Sequence, residues 1–130
     1  MVLDTSALLA ILFRESEAER MGRAIAEDPR RLVSAFSVLE TGIVVEARKG
    51  EPGGRELDLL LHRAQIDVVP LTASLGEVAR EAWRRFGKGN HPANLSIGDC
   101  CSYALARVSG ERLLFKGDDF AKSDVAAADY

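Results

Sequence analysis

Apolar runs too short to be helices recur along this chain, and each leads into an amphipathic helical pattern. Val2-Leu3 precedes Thr5–Phe13, Leu32-Val33 precedes Phe36–Arg48, and Val68-Val69-Pro70 precedes Ser74–Phe86. In the last of these helices Leu75, Val78, Ala79, Ala82 and Phe86 keep the i, i+3, i+4, i+7 spacing of one buried face. Cys101, Ala104, Leu105 and Val108 repeat that spacing and lead to the run Leu113-Leu114-Phe115. Two more helices are expected at Glu15–Glu27 and Arg55–Gln65, with breaks at Asp28-Pro29, Gly50–Gly54, Gly87–Asn94 and Ser109-Gly110. Short buried strands alternating with longer helices require crossover connections. The fold class is therefore α/β, a three-layer α/β/α domain around a central, mainly parallel sheet. Ligands of such sheets gather beyond the carboxyl ends of the strands.

The chain's 130 residues suit one domain spanning 1–130. Its 17 basic and 20 acidic side chains leave a net charge of −3, which argues against attachment to nucleic acid or anionic lipid by bulk positive charge. The longest run without Asp, Glu, Lys or Arg, Gly89–Gly98, is polar and glycine-rich, whereas a membrane span needs about 20 apolar residues. Met1-Val2-Leu3-Asp4 offers neither a basic leader nor an apolar export region. Cys100 and Cys101 are adjacent, so they supply no disulfide framework and no Cys-x-x-Cys knuckle. A cytoplasmic, reduced protein with no membrane partner is expected.

Acidic residues stand just past the expected strands. Asp4, taken alone, reads as a helix N-cap. Ser37-Val38-Leu39-Glu40 spells a capping box, and Ser96-Ile97-Gly98-Asp99 spells another with Asp in place of Glu. Gly117-Asp118-Asp119 has the composition of a turn. Taken together these local roles do not suffice, because a parallel sheet brings all four positions to one edge. Carboxylates clustered there repel one another and titrate high unless cations neutralise them. An all-oxygen set suits one or two Mg²⁺ or Mn²⁺ ions rather than zinc. That is the chemistry of metal-assisted phosphodiester cleavage by an activated water. Without those four acidic residues, 17 basic side chains face 16 acidic ones, so the net charge mostly counts the candidate ligands.

In order and spacing, Asp4-Thr5-Ser6-Ala7, Ser37-x-x-Glu40, Asp99-x-x-x-Tyr103-Ala104-Leu105-Ala106 and Leu114-Phe115-Lys116-Gly117-Asp118-Asp119-Phe120 resemble the PIN-domain ribonucleases. More narrowly, the chain is similar to the VapC toxins of bacterial toxin–antitoxin pairs, and the loop Gly87–Ala93 is typical of that group. The resemblance runs from Met1 to about Val125. It implies a PIN-like fold and a Mg²⁺- or Mn²⁺-dependent endoribonuclease. It also implies a homodimer inhibited by a cognate VapB-like antitoxin, whose helix would lie in a groove beside Thr5–Glu27 and Phe36–Arg48. The catalytic and metal-binding roles carry over to Asp4, Glu40 and Asp99. The fourth falls to Asp118 with Asp119 as alternate, since Phe115-Lys116-Gly117 replaces the Thr- or Ser-containing stretch of many members. Thr5 and Ser6 take auxiliary roles in orienting water or phosphate.

From Ala82 to Gly98 there is no acidic residue, while Arg84, Arg85, Lys88 and His91 occur there beside Trp83 and Phe86. Cations next to aromatic faces suit a single-stranded RNA channel. Trp83 could equally pack in a dimer or antitoxin groove. Two other readings compete. A receiver-type signalling domain has a similar acidic Mg²⁺ pocket, but needs an acidic pair after the first strand, where Asp4 stands alone. A catalytically silent RNA-binding PIN module would keep the fold without the reaction.

Overall fold

A computed structural model describes all residues from Met1 to Tyr130. Strands β1 (Val2–Leu3), β2 (Leu32–Ser34), β3 (Asp67–Val69) and β4 (Leu113–Leu114) form one sheet in the order β3-β2-β1-β4. Every pairing is parallel, with Val2 opposite Leu32 on one side and Leu113 on the other. Helices α1 (Thr5–Leu12) and α2 (Ala18–Glu27) connect β1 to β2. Helices α3 (Ala35–Lys49) and α4 (Glu51–Arg63) connect β2 to β3, and α5 (Ala73–Phe86) and α6 (Ile97–Ser109) connect β3 to β4. The chain first builds outward from β1 through β2 to β3, then returns to place β4 on the other side of β1. The strand order therefore reverses at β1, the place where open parallel sheets bind ligands.

Successive strand residues alternate between two apolar layers, as the pleat requires. Val2, Leu32 and Leu113 pack with Ala82, Phe86, Leu95, Ala104 and Leu105 of the α5–α6 layer. Leu3, Val33 and Leu114 pack with Leu8, Met21, Ile25 and Ile66 on the opposite face. Both faces of β1 and β4 are buried, so these strands carry no polar side chain until the chain leaves the sheet. This is the three-layer arrangement expected from the sequence. No helix is long and apolar enough to cross a membrane.

Val108, expected on the buried face of α6, is 61% exposed because it lies on the side of that helix turned from the sheet. Strand β3, expected to be buried, is an edge strand with Val68 46% exposed. Two further expectations fail locally. The stretch Gly50–Gly54 was predicted to be a break, yet only Gly50 (φ +68°) interrupts the helices. Pro52 lies in the first turn of α4, where its missing N–H costs nothing. Gly53 lets α4 start hard against α3, since a Cβ there would lie 2.7 Å from the Val45 carbonyl oxygen. The second failure is the capping box at Ser37. α3 begins earlier, with Ser34 accepting from the Phe36 N–H at 3.2 Å, which leaves Ser37 inside the helix and fully buried.

The segment after β4 folds back along the sheet through a bridge between Leu113 and Ala127. Asp124 pins it, accepting from Tyr103 Oη at 2.5 Å and from Arg85 at 2.9 Å. Burial pushes the Asp124 carboxyl up, but these hydrogen bonds and the Arg85 charge hold it below its usual range.

Candidate active site

Asp4 is the first residue beyond β1 and caps α1. It is only 2% exposed, so each of its oxygens needs a partner. Oδ2 accepts from the Ser6 N–H at 3.0 Å and from Ser6 Oγ at 2.7 Å. Oδ1 accepts from Ser102 Oγ at 2.6 Å. Ser6 Oγ also accepts from the Lys116 N–H at 3.0 Å, which ties the exit of β1 to the exit of β4. The two predicted auxiliary hydroxyls thus part company, because Thr5 Oγ1 is buried without a hydrogen-bond partner.

Asp99 occupies the third position of α6, and here the predicted capping box forms. The Ser96 N–H donates to Asp99 Oδ2 at 2.9 Å, and the Asp99 N–H donates to Ser96 Oγ at 3.2 Å. Even so, the carboxyl is pushed up to about 6, first by burial and then by the negative charges of Asp4 and Asp119, against the lowering effect of Ser96. Asp4, Asp99 and Asp119 therefore share one electrostatic neighbourhood. Asp118 and Asp119 are both exposed, in a turn that follows Gly117. Asp119, expected as the alternate to Asp118, contributes to the raised Asp99 carboxyl.

Glu40 lies in the second turn of α3, half-buried, with its carboxylate against the start of α6. A Cβ on Gly98 would come within 2.6 Å of Glu40 Oε1. Burial raises the Cys101 thiol, and the Glu40 charge raises it further. Cys100 is pushed up to about 11 by burial and then by Asp99, so neither cysteine carries useful thiolate at neutral pH. Lys116, the cation nearest the Asp118-Asp119 turn in sequence, is ion-paired with Glu15 and Glu17.

These oxygens have the chemistry of a hard divalent cation site. The buried, unpartnered Thr5 hydroxyl next to Asp4 and the raised Asp99 carboxyl both fit a place where positive charge is wanted. The side chains are not drawn into a closed cage, for no three of the chain's His, Cys, Asp and Glu are grouped so as to hold an ion unaided. Sequence reasoning missed three residues of this edge: Gly98, Ser102 and the buried role of Ser37. The available signal for Ser102 was its place three residues after Asp99 on one helix face, inside an otherwise apolar stretch.

The predicted cationic strip divides. Arg84 and Lys88 line a groove of about 880 Å³ walled by Trp83, Leu95 and Ile97, which runs up to Ser96 at the start of α6. Arg85 points elsewhere, to Asp124, with its guanidinium 4.7 Å from the Phe86 ring centroid. His91 Nδ1 accepts from the Ala93 N–H at 3.0 Å, and its ring meets Phe86 edge-on. Both are held in structural contacts. A larger cavity, about 1020 Å³, opens at the amino end of the sheet around Met1, Arg20 and Glu111 and contains none of the predicted carboxylates.

Residues 1–126 match the PIN domain family. The chain is 59% identical over 127 residues to a protein named Ribonuclease VapC from Mycolicibacterium smegmatis, covering 98% of each chain. It is 56% identical over 126 residues to Ribonuclease VapC30 of Mycobacterium tuberculosis, covering 97% of this chain and 96% of that one. Among solved structures, Mycobacterium tuberculosis VapC20, described as a Sarcin-Ricin loop cleaving toxin, superposes with a TM-score of 0.77 at 21% identity, covering 96% of this chain and 95% of that one. A toxin-antitoxin complex from Klebsiella pneumoniae gives 0.75 at 15% identity, covering 99% and 97%. At those identities the two structures speak for the fold.

Proposed function

This chain belongs to the PIN-domain family, among the VapC proteins, and on that premise we propose that it is a divalent-metal-dependent endoribonuclease, the toxin half of a toxin–antitoxin pair. The premise sets aside the receiver-type alternative. The observation that carries the proposal is the meeting of carboxylates at the sheet's carboxyl edge, beside a groove with Arg84 and Lys88 in its lining. There Asp4 follows β1, Ser6 ties it to the exit of β4 just before the Asp118-Asp119 turn, and the Asp99 carboxyl is raised in part by the Asp4 charge.

Asp4, Glu40, Asp99 and one carboxylate of the Asp118-Asp119 turn would hold Mg²⁺ or Mn²⁺, and the Asp119 charge is among those that raise Asp99. The bound ion supplies an activated water and charge stabilisation for in-line cleavage of a phosphodiester. The protein's part is positional. Ser6 fixes Asp4 and the β4 exit in one register, the Ser96 capping box holds Asp99, and the bare backbone at Gly98 leaves room for Glu40. Incubation of the purified protein with RNA and Mg²⁺ should yield cleavage that EDTA abolishes and added Mn²⁺ restores. RNA bound but uncut in every condition would leave the silent-module reading.

Arg84 and Lys88 are assigned to RNA phosphates, with Trp83, 47% exposed, as a base-stacking face. Replacing both cations by Ala should weaken RNA binding in EDTA. It should also flatten the dependence of log K on log salt by about 0.7 for each phosphate that is no longer neutralised. Arg85→Ala should leave that slope unchanged, because Arg85 serves Asp124. An equal change in both proteins would remove the groove from the RNA path.

A VapB-like antitoxin is the proposed regulatory partner. Leu39 and Ile43 flank Glu40 on α3 and are 61% and 60% exposed, an apolar pair one helical turn apart that a partner helix could cover. A homodimer and a cytoplasmic location complete the reading.

A further inference from the structure

Behind Asp4 stand two buried hydroxyls that belong to none of the roles described so far. Ser37, in the first turn of α3, and Ser102, in the second turn of α6, are both fully buried. Ser102 Oγ donates to Asp4 Oδ1 at 2.6 Å, and Ser37 Oγ lies 3.2 Å from Ser102 Oγ. A serine hydroxyl has a single hydrogen. With that hydrogen directed to Asp4, Ser102 can only accept, so Ser37 donates, and the chain runs Ser37 to Ser102 to Asp4. Serines within helices commonly bond back to their own backbone, as Ser109 does to the Leu105 carbonyl at 2.7 Å. Ser37 and Ser102 instead direct their hydrogens across elements, from α3 to α6 to the end of β1.

The arrangement decides how Asp4 can act. An ionised carboxylate offers about four lone-pair directions. Two on Oδ2 are occupied by the Ser6 N–H and Oγ, and one on Oδ1 by Ser102. One direction, on Oδ1, remains free. We propose that Ser102, polarised by Ser37, is a positioning residue for the nuclease reaction, holding the Asp4 carboxylate so that its one uncommitted Oδ1 lone pair stays available to a divalent cation. This rests on the metal-dependent reading above. Hydroxyl-to-hydroxyl donation strengthens the final bond to the carboxylate, and it makes the orientation of Asp4 depend on the packing of α3 against α6. Outer partners that orient a metal ligand typically matter by roughly 10- to 100-fold in metal affinity or activity.

The test is Mn²⁺ binding to the RNA-free protein, followed by calorimetry and by water-proton relaxation, alongside steady-state RNA cleavage. Ser102→Ala should bind Mn²⁺ roughly 10- to 100-fold more weakly and lose kcat with little change in KM for RNA. Ser37→Ala should move both in the same direction by a smaller factor, since Ser102 still donates. Ser109→Ala, a serine of the same helix with a purely local bond, should shift Tm alone. Parent-like Mn²⁺ affinity and kcat in Ser102→Ala would overturn the proposal. If that variant does not fold, parent-like Mn²⁺ affinity in Ser37→Ala overturns it instead. A parent protein that binds no Mn²⁺ and cleaves RNA in EDTA would overturn the metal-dependent reading, and this proposal with it.

Discussion

Asp99→Asn should reduce RNA cleavage by more than about a hundredfold while making the metal-free protein more stable at neutral pH. The loss follows from the ligand role proposed for Asp99, for removing a ligand should cost more than removing an outer partner, which itself costs roughly 10- to 100-fold. The gain in stability follows from the raised carboxyl. Asp99 titrates at about 6 in the fold against an ordinary value of 3.8, because burial and then the charges of Asp4 and Asp119 oppose ionisation. A group raised on folding favours the native state when protonated, and that contribution disappears as pH rises from about 4 through 6. At pH 7 the ionised Asp99 therefore strains the metal-free fold by about 1–2 kcal/mol once solvent screening is allowed for. Asn relieves that strain and keeps an acceptor for the Ser96 N–H. In EDTA, the variant's Tm should exceed the parent's by about 3–8 °C at pH 7, with the gap closing near pH 4. Mg²⁺ should then raise the Tm of the parent and leave the variant unmoved, as expected when a ligand binds only one of them. An Asn variant that cleaves like the parent would remove Asp99 from the ligand set.

The sheet and its carboxyl edge were legible because buried parallel strands leave an unambiguous mark. Val2-Leu3, Leu32-Val33 and Leu113-Leu114 are apolar, and Asp4 and the Asp118-Asp119 turn follow from the ends of β1 and β4. Glu40, in the second turn of α3, and Asp99, which opens α6, do not lie just past a strand as expected. Local spelling was less reliable. Ser37–Glu40 and Ser96–Asp99 have the same capping-box form, yet only the second caps a helix, because Ser34 had already started the first. A four-residue motif does not say where the preceding strand ends. Glycine and proline misled at Gly50–Gly54 for a related reason. Composition marks them as loop formers, whereas Gly53 is there to let two helices touch. Arg84 and Arg85 could not be separated by composition, but one residue is about 100° on a helix, enough to send one into the groove and the other to Asp124. Ser102 could be flagged but not assigned, since its partner is 98 positions away in sequence.

Gly98→Ala separates folding from function at this edge more sharply than any charge replacement. A methyl group at position 98 would sit 2.6 Å from Glu40 Oε1, closer than real Cβ atoms come, and 3.0 Å from Oε2. The obstructed atoms are the far end of a flexible side chain, so the clash is relieved by rotating Glu40 away while α6 stays in place. Gly98 is already helical, the second residue of α6, where alanine's advantage over glycine is smaller than the ~1 kcal/mol of a helix interior. The variant should therefore unfold at the same temperature or slightly higher. With Glu40 in its proposed role, cleavage should fall about a hundredfold, the scale of loss that misplacing a catalytic group by an ångström can cause. Gly22→Ala in α2, where a Cβ meets nothing within 4 Å, should show the stability gain without the loss. Glu40→Gln should reproduce the loss, and adding Gly98→Ala to it should change little, since two replacements acting on one carboxylate are not additive. Full activity in Gly98→Ala would mean that the Glu40 carboxylate works from somewhere other than its place against α6. A further loss on top of Glu40→Gln would mean that the bare backbone at Gly98 itself meets the RNA.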